Sequence, residues 1–224
     1  MRQLTRNLTK NTVLVTFLCP QTPLLKPHFI RLTLSFAFFS LLITSSVWAQ
    51  IIVSEIMFHP RHVNEEEPVA QEFVELWNRS SESISLAEWK FDRGIHFTFP
   101  DIEIPADGMV VIAADPTAEV FSDITHLLGP GTGRLSNRGE RIRLLNATGD
   151  TIDEVHYADQ GDWAARRQID LLGQASWEWV APSDGDGYSL ELVDAHLPNA
   201  NGQNWKSSLV DGGTPGNRNS REAT

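Results

Sequence analysis

The chain has 224 residues, with 18 Lys and Arg against 29 Asp and Glu, a formal charge of −11, and one cysteine. The length suits one domain of ordinary size or two small ones. The excess of acid argues against nucleic acid and anionic lipid, whose charge it repels, and a single cysteine excludes a disulfide framework.

The first 49 residues differ from the rest. They carry Arg2, Arg6, Lys10, Lys26 and Arg31 and no acid, and residues 32–43 then run apolar except for Thr33, Ser35 and Ser40. Thr44-Ser45-Ser46-Val47-Trp48-Ala49 follows. Basic, apolar, then small residues is the order of a secretory signal cut after Ala49. The apolar run falls short of the roughly 20 residues of a membrane span. The expectation is a signal over 1–49, a domain over 50–217 and a polar tail over 218–224. The mature protein is expected in the periplasm, at the cell surface or outside the cell, with no membrane insertion. Removing five bases and no acid leaves 13 bases against 29 acids. Cys19 leaves with the signal, so the mature domain is held by its core alone, a composition that leans towards a bacterial exported protein.

Strand signals then recur. Ile51-Ile52-Val53-Ser54-Glu55-Ile56-Met57 and Glu72-Phe73-Val74-Glu75-Leu76-Trp77 are rich in β-formers. Residues 61–71 between them read as an acidic surface insertion. Ile95, Phe97 and Phe99 share one face of the next run. Met109-Val110-Val111-Ile112-Ala113 is continuous and is expected to be buried on both faces. Arg141-Ile142-Arg143-Leu144 alternates, and residues 151–157 pair with it across a loop containing Gly149. Residues 163–172 are expected to hold one short helix capped by Asp162. Residues 159–186 form a long insertion carrying Trp163, Trp177 and Trp179. Tyr188-Ser189-Leu190-Glu191-Leu192 alternates again. Period-two runs between Gly, Pro, Asn and Asp clusters indicate an all-β antiparallel domain, closed as a sandwich or a barrel.

The order of these motifs resembles the lamin tail domain, in the form found in exported bacterial proteins. The resemblance runs through Val53-Ser54-Glu55-Ile56-Met57-Phe58-His59-Pro60, Glu72-Phe73-Val74-Glu75-Leu76-Trp77-Asn78 and Ile84-Ser85-Leu86-Ala87-Glu88-Trp89. It continues through Gly133-Arg134-Leu135-Ser136-Asn137-Arg138-Gly139-Glu140 and Asp186-Gly187-Tyr188-Ser189-Leu190-Glu191-Leu192 to Gly213-Thr214-Pro215-Gly216. It implies an immunoglobulin-like β-sandwich used for attachment or interaction. The coiled-coil rod and prenylated terminus of nuclear lamins are absent from this sequence.

Structural roles are expected for several of these residues. Trp89 and Leu86 belong to the core after a turn. Gly139 and Gly149 hold backbone conformations that a side chain would oppose. Glu55, Glu72 and Glu75 read as a solvated strand face.

Candidates for chemistry are few. No GxSxG elbow, HExxH pair or lysine-bearing phosphate loop occurs. His59 and His62 at i, i+3 have a spacing that suits two imidazoles on one metal, with Glu65, Glu66 and Glu67 near in sequence. Asp184-Gly185-Asp186-Gly187 opens like a calcium loop, but the twelfth position is Ala195, so an EF-hand fails. A looser calcium site on Asp184 and Asp186, joined by Asp159, Asp162 or Asp194, stays open, and otherwise no cofactor is expected. Trp163, Trp177 and Trp179 are the lead for binding, either of proteins or of sugar faces, or else they close one end of the sandwich. The leading expectation is a non-catalytic interaction or structural module binding a protein or surface component. A carbohydrate-binding module and a metal-dependent hydrolase are the alternatives.

Overall fold

Alternation between apolar and other side chains sets the strands, and a computed structural model describes them over residues 50–62 and 68–222. The expected signal segment and five residues of the acidic insertion lie outside the described residues. In chain order the strands are β1 (Ile51–Met57), β2 (Phe73–Asn78), β3 (Ile84–Ser85), β4 (Lys90–Arg93), β5 (Ile95–Thr98), β6 (Glu103–Ile104), β7 (Met109–Ala113) and β8 (Leu127–Leu128). They continue as β9 (Thr132–Gly133), β10 (Gly139–Leu145), β11 (Thr151–Ala158), β12 (Ala165–Leu171), β13 (Gln174–Val180), β14 (Leu190–Leu192) and β15 (Trp205–Ser207).

The fold is all-β, an immunoglobulin-like sandwich. One sheet runs β15-β14-β1-β2-β7-β8 and the other β11-β10-β4-β5-β9. All pairings are antiparallel except β7 with β8. Ile56, Val74, Leu76 and Ile112 of the first sheet meet Phe91, Ile142, Leu144 and Val155 of the second in one buried cluster. The Phe58 and Tyr157 rings lock the layers at 5.0 Å between centroids. Burial on this scale supplies the main driving force for folding.

The first sheet is covered on its outer face as well. Phe73 and Phe121 meet edge to face at 6.0 Å, so the segment after β7 closes one end. The chain after β15 covers the other end. This explains why every residue of β1, β2 and β7 is buried, as the continuous apolar run of β7 led one to expect.

A bulge between Val53 and Glu55 decides which side chains go where. Val53 pairs with Leu76, which faces the core, whereas Glu55 pairs with Glu75, which faces outward. The extra residue, Ser54, switches the phase of the strand. Two backbone groups beside the switch are taken by side chains. Val53 N–H donates to Asp153 at 2.7 Å, and Asn219 donates to the Ser54 carbonyl at 2.9 Å.

Candidate functional site

Residues 165–180 form a β-hairpin that pairs only with itself. This corrects the expected helix. A short 3-10 turn at Gly161–Trp163 leads directly into β12. The two strands join through Leu172 and Gly173, whose φ values of 55° and 80° are both positive. That is the geometry of a two-residue turn matched to strand twist. Gly173 N–H donates to Asp170 at 2.6 Å and fixes it.

The hairpin carries much of the exposed apolar surface. Trp177 is 57% exposed, Trp179 46%, and Leu171 and Leu172 at the tip 58% and 97%. Trp177 and Trp179 alternate with Glu178 and so share a face. Arg166, directly opposite Trp179 in the ladder, places its guanidinium 5.1 Å from the Trp177 centroid and 5.4 Å from the Trp179 centroid. One cation thus holds two indoles. On the reverse face Arg167 pairs with Glu178.

Trp163 does not join them. It is buried, packs its ring 5.7 Å from that of Trp205, and belongs to the core. Gly202 makes room for it, since a Cβ there would fall 2.7 Å from the indole nitrogen. The three insertion tryptophans therefore divide into one that anchors the hairpin base and two that stand in solvent.

Below the hairpin lies an open cleft of about 370 Å³, lined by Asp159, Arg167, Glu178, Trp179, Asp184 and Asp186 among others. Trp179 and both expected calcium ligands thus meet in one place. Asp184 is engaged through its carboxylate and Asp186 through its backbone. Asp184 Oδ1 lies 2.6 Å from His59 Nδ1. The Asp186 carbonyl accepts a bond from Arg61 Nε at 3.1 Å. Among the described residues, no three His, Cys, Asp or Glu side chains are grouped to hold a metal ion.

The acids of β1 and β2 are not a solvated face. Glu191, Glu55 and Glu75 stand side by side across β14, β1 and β2, all fully buried under the C-terminal segment. That segment supplies their donors. Thr214 N–H donates to Glu55 at 2.7 Å, Gly216 N–H to Glu75 at 2.7 Å, and Arg221 N–H to Glu191 at 2.9 Å. Burial pushes the Glu55 carboxyl up to about 8, against the opposing pull of Ser189 and Thr214. It raises Glu75 well above the usual range too, with the Glu55 charge adding to the effect. Glu72 rises to about 7 through burial, and its carboxylate holds Leu135 N–H at 2.9 Å. Each of these groups acts on the fold. The segment read as a polar tail is docked as far as Glu222, with Arg218 stacked 4.1 Å over the Trp77 ring.

The residues given structural roles divide as well. Leu86 is fully buried, whereas Trp89 is half-buried and packs at the margin of the core, a smaller role than expected. Gly139 has φ 98°, and a Cβ there would lie 2.3 Å from the Tyr157 carbonyl oxygen. Gly149 has φ 89° in open space, so only its backbone conformation calls for glycine. The arginines of the β10 hairpin face carboxylates, Arg143 with Asp92 at 2.6 Å and Arg141 with Glu154 at 3.6 Å. Among the described residues no helix is long and apolar enough to cross a membrane.

Comparison with known proteins agrees with the fold. No curated protein matches the chain. The Lamin Tail Domain family matches residues 44–159, just over half of the chain, from before β1 through β11. The hairpin, all of its cleft but Asp159, and the C-terminal segment lie beyond that match. With its sandwich and its motifs in this order, the chain belongs to the Lamin Tail Domain family.

Proposed function

We propose that the protein is a non-catalytic interaction module working outside the cytoplasm, and that the β12–β13 hairpin is the element that binds. The observation that carries this reading is the hairpin itself, which exposes Trp177 and Trp179 on one face and Leu171 and Leu172 at its tip. An isolated two-stranded ribbon is marginal in water, and clustered apolar exposure marks interaction surfaces. Tryptophan and arginine are also the side chains that dominate interface energetics.

A protein partner suits this surface better than a sugar. The Arg166 guanidinium lies over both indoles, where a pyranose ring would stack. The adjoining cleft carries Asp159, Glu178, Asp184 and Asp186 against Arg167. The partner that fits presents an apolar patch for the tryptophans flanked by a basic side chain for the cleft. Nucleic acid is disfavoured by the acid excess and by the carboxylates that face Arg141, Arg143 and Arg167.

The test replaces residues 168–177 with a short Gly-Ser turn and compares retention of the exported protein on cells, together with its melting curve. The reading predicts release into the medium with an unchanged melting temperature. Retention equal to that of the native chain contradicts it.

A further inference from the structure

We propose that His59 and His62 form a binding site for a late divalent transition metal such as zinc. The two Nε2 atoms lie 3.4 Å apart. That is long for a hydrogen bond between ring nitrogens, which centres near 2.9–3.0 Å. It matches the edge of a zinc tetrahedron, about 3.3–3.4 Å for metal–nitrogen bonds of about 2.0–2.1 Å.

The surroundings prepare one imidazole for this role. His59 Nδ1–H donates to Asp184 Oδ1 at 2.6 Å. That bond fixes the tautomer in which Nε2 carries the lone pair. A carboxylate behind a ligand histidine is the usual outer shell of zinc sites, where it sets ring orientation and raises basicity. Asp184 is held in turn by a tight turn, with Asp184 N–H bonded to the Ala181 carbonyl at 2.8 Å. Gly185 rests against the same ring, where a Cβ would come 3.1 Å from His59 Cε1, and its N–H donates to the His59 carbonyl at 3.1 Å. The first imidazole is therefore braced from two sides, while His62 stands in solvent.

Asp184 acts through His59 and is a positioning residue. The protein supplies two ligands, and the remaining positions of the metal are open to water or to a donor from a partner. Nitrogen ligands select zinc, nickel or copper over calcium and magnesium.

Isothermal titration of the purified protein with zinc chloride, with calcium chloride as control, tests the site. Saturable uptake of one zinc and no calcium is expected. His62→Ala, at an exposed position, leaves the melting curve unchanged and weakens zinc at least tenfold. Asp184→Asn keeps both ligands and weakens zinc about tenfold, within the range for outer-shell carboxylates. Zinc affinity unchanged in His62→Ala overturns the proposal, and so does binding of calcium in place of zinc.

Discussion

Glu55 and Glu191, buried opposite each other on β1 and β14, share one hydroxyl: Thr214 Oγ1 lies 3.2 Å from Glu55 Oε2 and 2.8 Å from Glu191 Oε1. A hydroxyl has one proton to give. With Thr214 donating along the shorter contact to Glu191, Glu55 completes the chain when its own Oε2 is protonated and donates to Thr214. Burial favours the same state, since it pushes Glu55 up to about 8.

Stability should therefore fall as pH rises. Glu55 releases its proton near 4.5 when unfolded and near 8 when folded. Between these values the folded state binds more protons, so its advantage is full below the lower value and shrinks until the upper one. Glu75, raised well above 4.5 by the same burial, acts in the same direction. Denaturant unfolding at pH 5 and pH 8 should differ by on the order of 2–4 kcal/mol. Glu55→Gln presents an amide donor to Thr214 and should reduce that difference, leaving the part contributed by Glu75 and Glu72. An equally steep profile in the variant would show that Glu55 does not carry the proton.

The C-terminal segment should contribute to the fold. Ending the chain at Val210 removes Thr214, Gly216, Ser220 and Arg221 from the three carboxylates and Asn219 from the Ser54 carbonyl. Loss of these bonds, offset in part by water reaching the acids, should cost on the order of 3 kcal/mol. That corresponds to a melting point about 6–12 °C lower for a domain of this size. A truncated chain that melts with the parent would contradict the docking.

Tryptophans of one insertion should respond differently. Trp163→Ala opens a cavity against Trp205 and should cost roughly 3–5 kcal/mol. Trp177→Ala loses the contact with Arg166 at an exposed position and should cost about 1 kcal/mol or less. Trp89→Ala, at the margin of the core, should fall between them. Equal losses at Trp163 and Trp177 in a urea series would mean that the hairpin packs against the domain.

Much of the sandwich was legible because its strands alternate with period two, as Ile142 and Leu144 do against Arg141 and Arg143. The turn of β12–β13 was not, since Leu172-Gly173 lacks an Asn-Gly or Asp-Gly signature. Nor could periodicity show that Glu55 and Glu75 are buried. Alternation places them opposite the core, and their cover comes from Thr214 and Gly216, 159 and 141 residues away in sequence. The candidate sites were half legible. His59 with His62 could be read from spacing, and Asp184 from its motif, but their meeting spans 125 residues.

Export should leave a defined terminus. From the charge step and apolar run we expect cleavage after Ala49, so that Gln50 alone precedes β1 at Ile51. N-terminal sequencing of the protein recovered outside the cytoplasm should begin at Gln50. An intact Met1 on protein in the cytoplasm would remove the basis for an extracytoplasmic role.

Site-specific photo-cross-linking in living cells tests whether the hairpin face binds a protein. A photoreactive phenylalanine at Trp177 should give one discrete protein adduct, while the same group at Leu209, exposed on the C-terminal segment, should give none. Equal labelling from both positions, or no protein adduct from Trp177, would contradict the account.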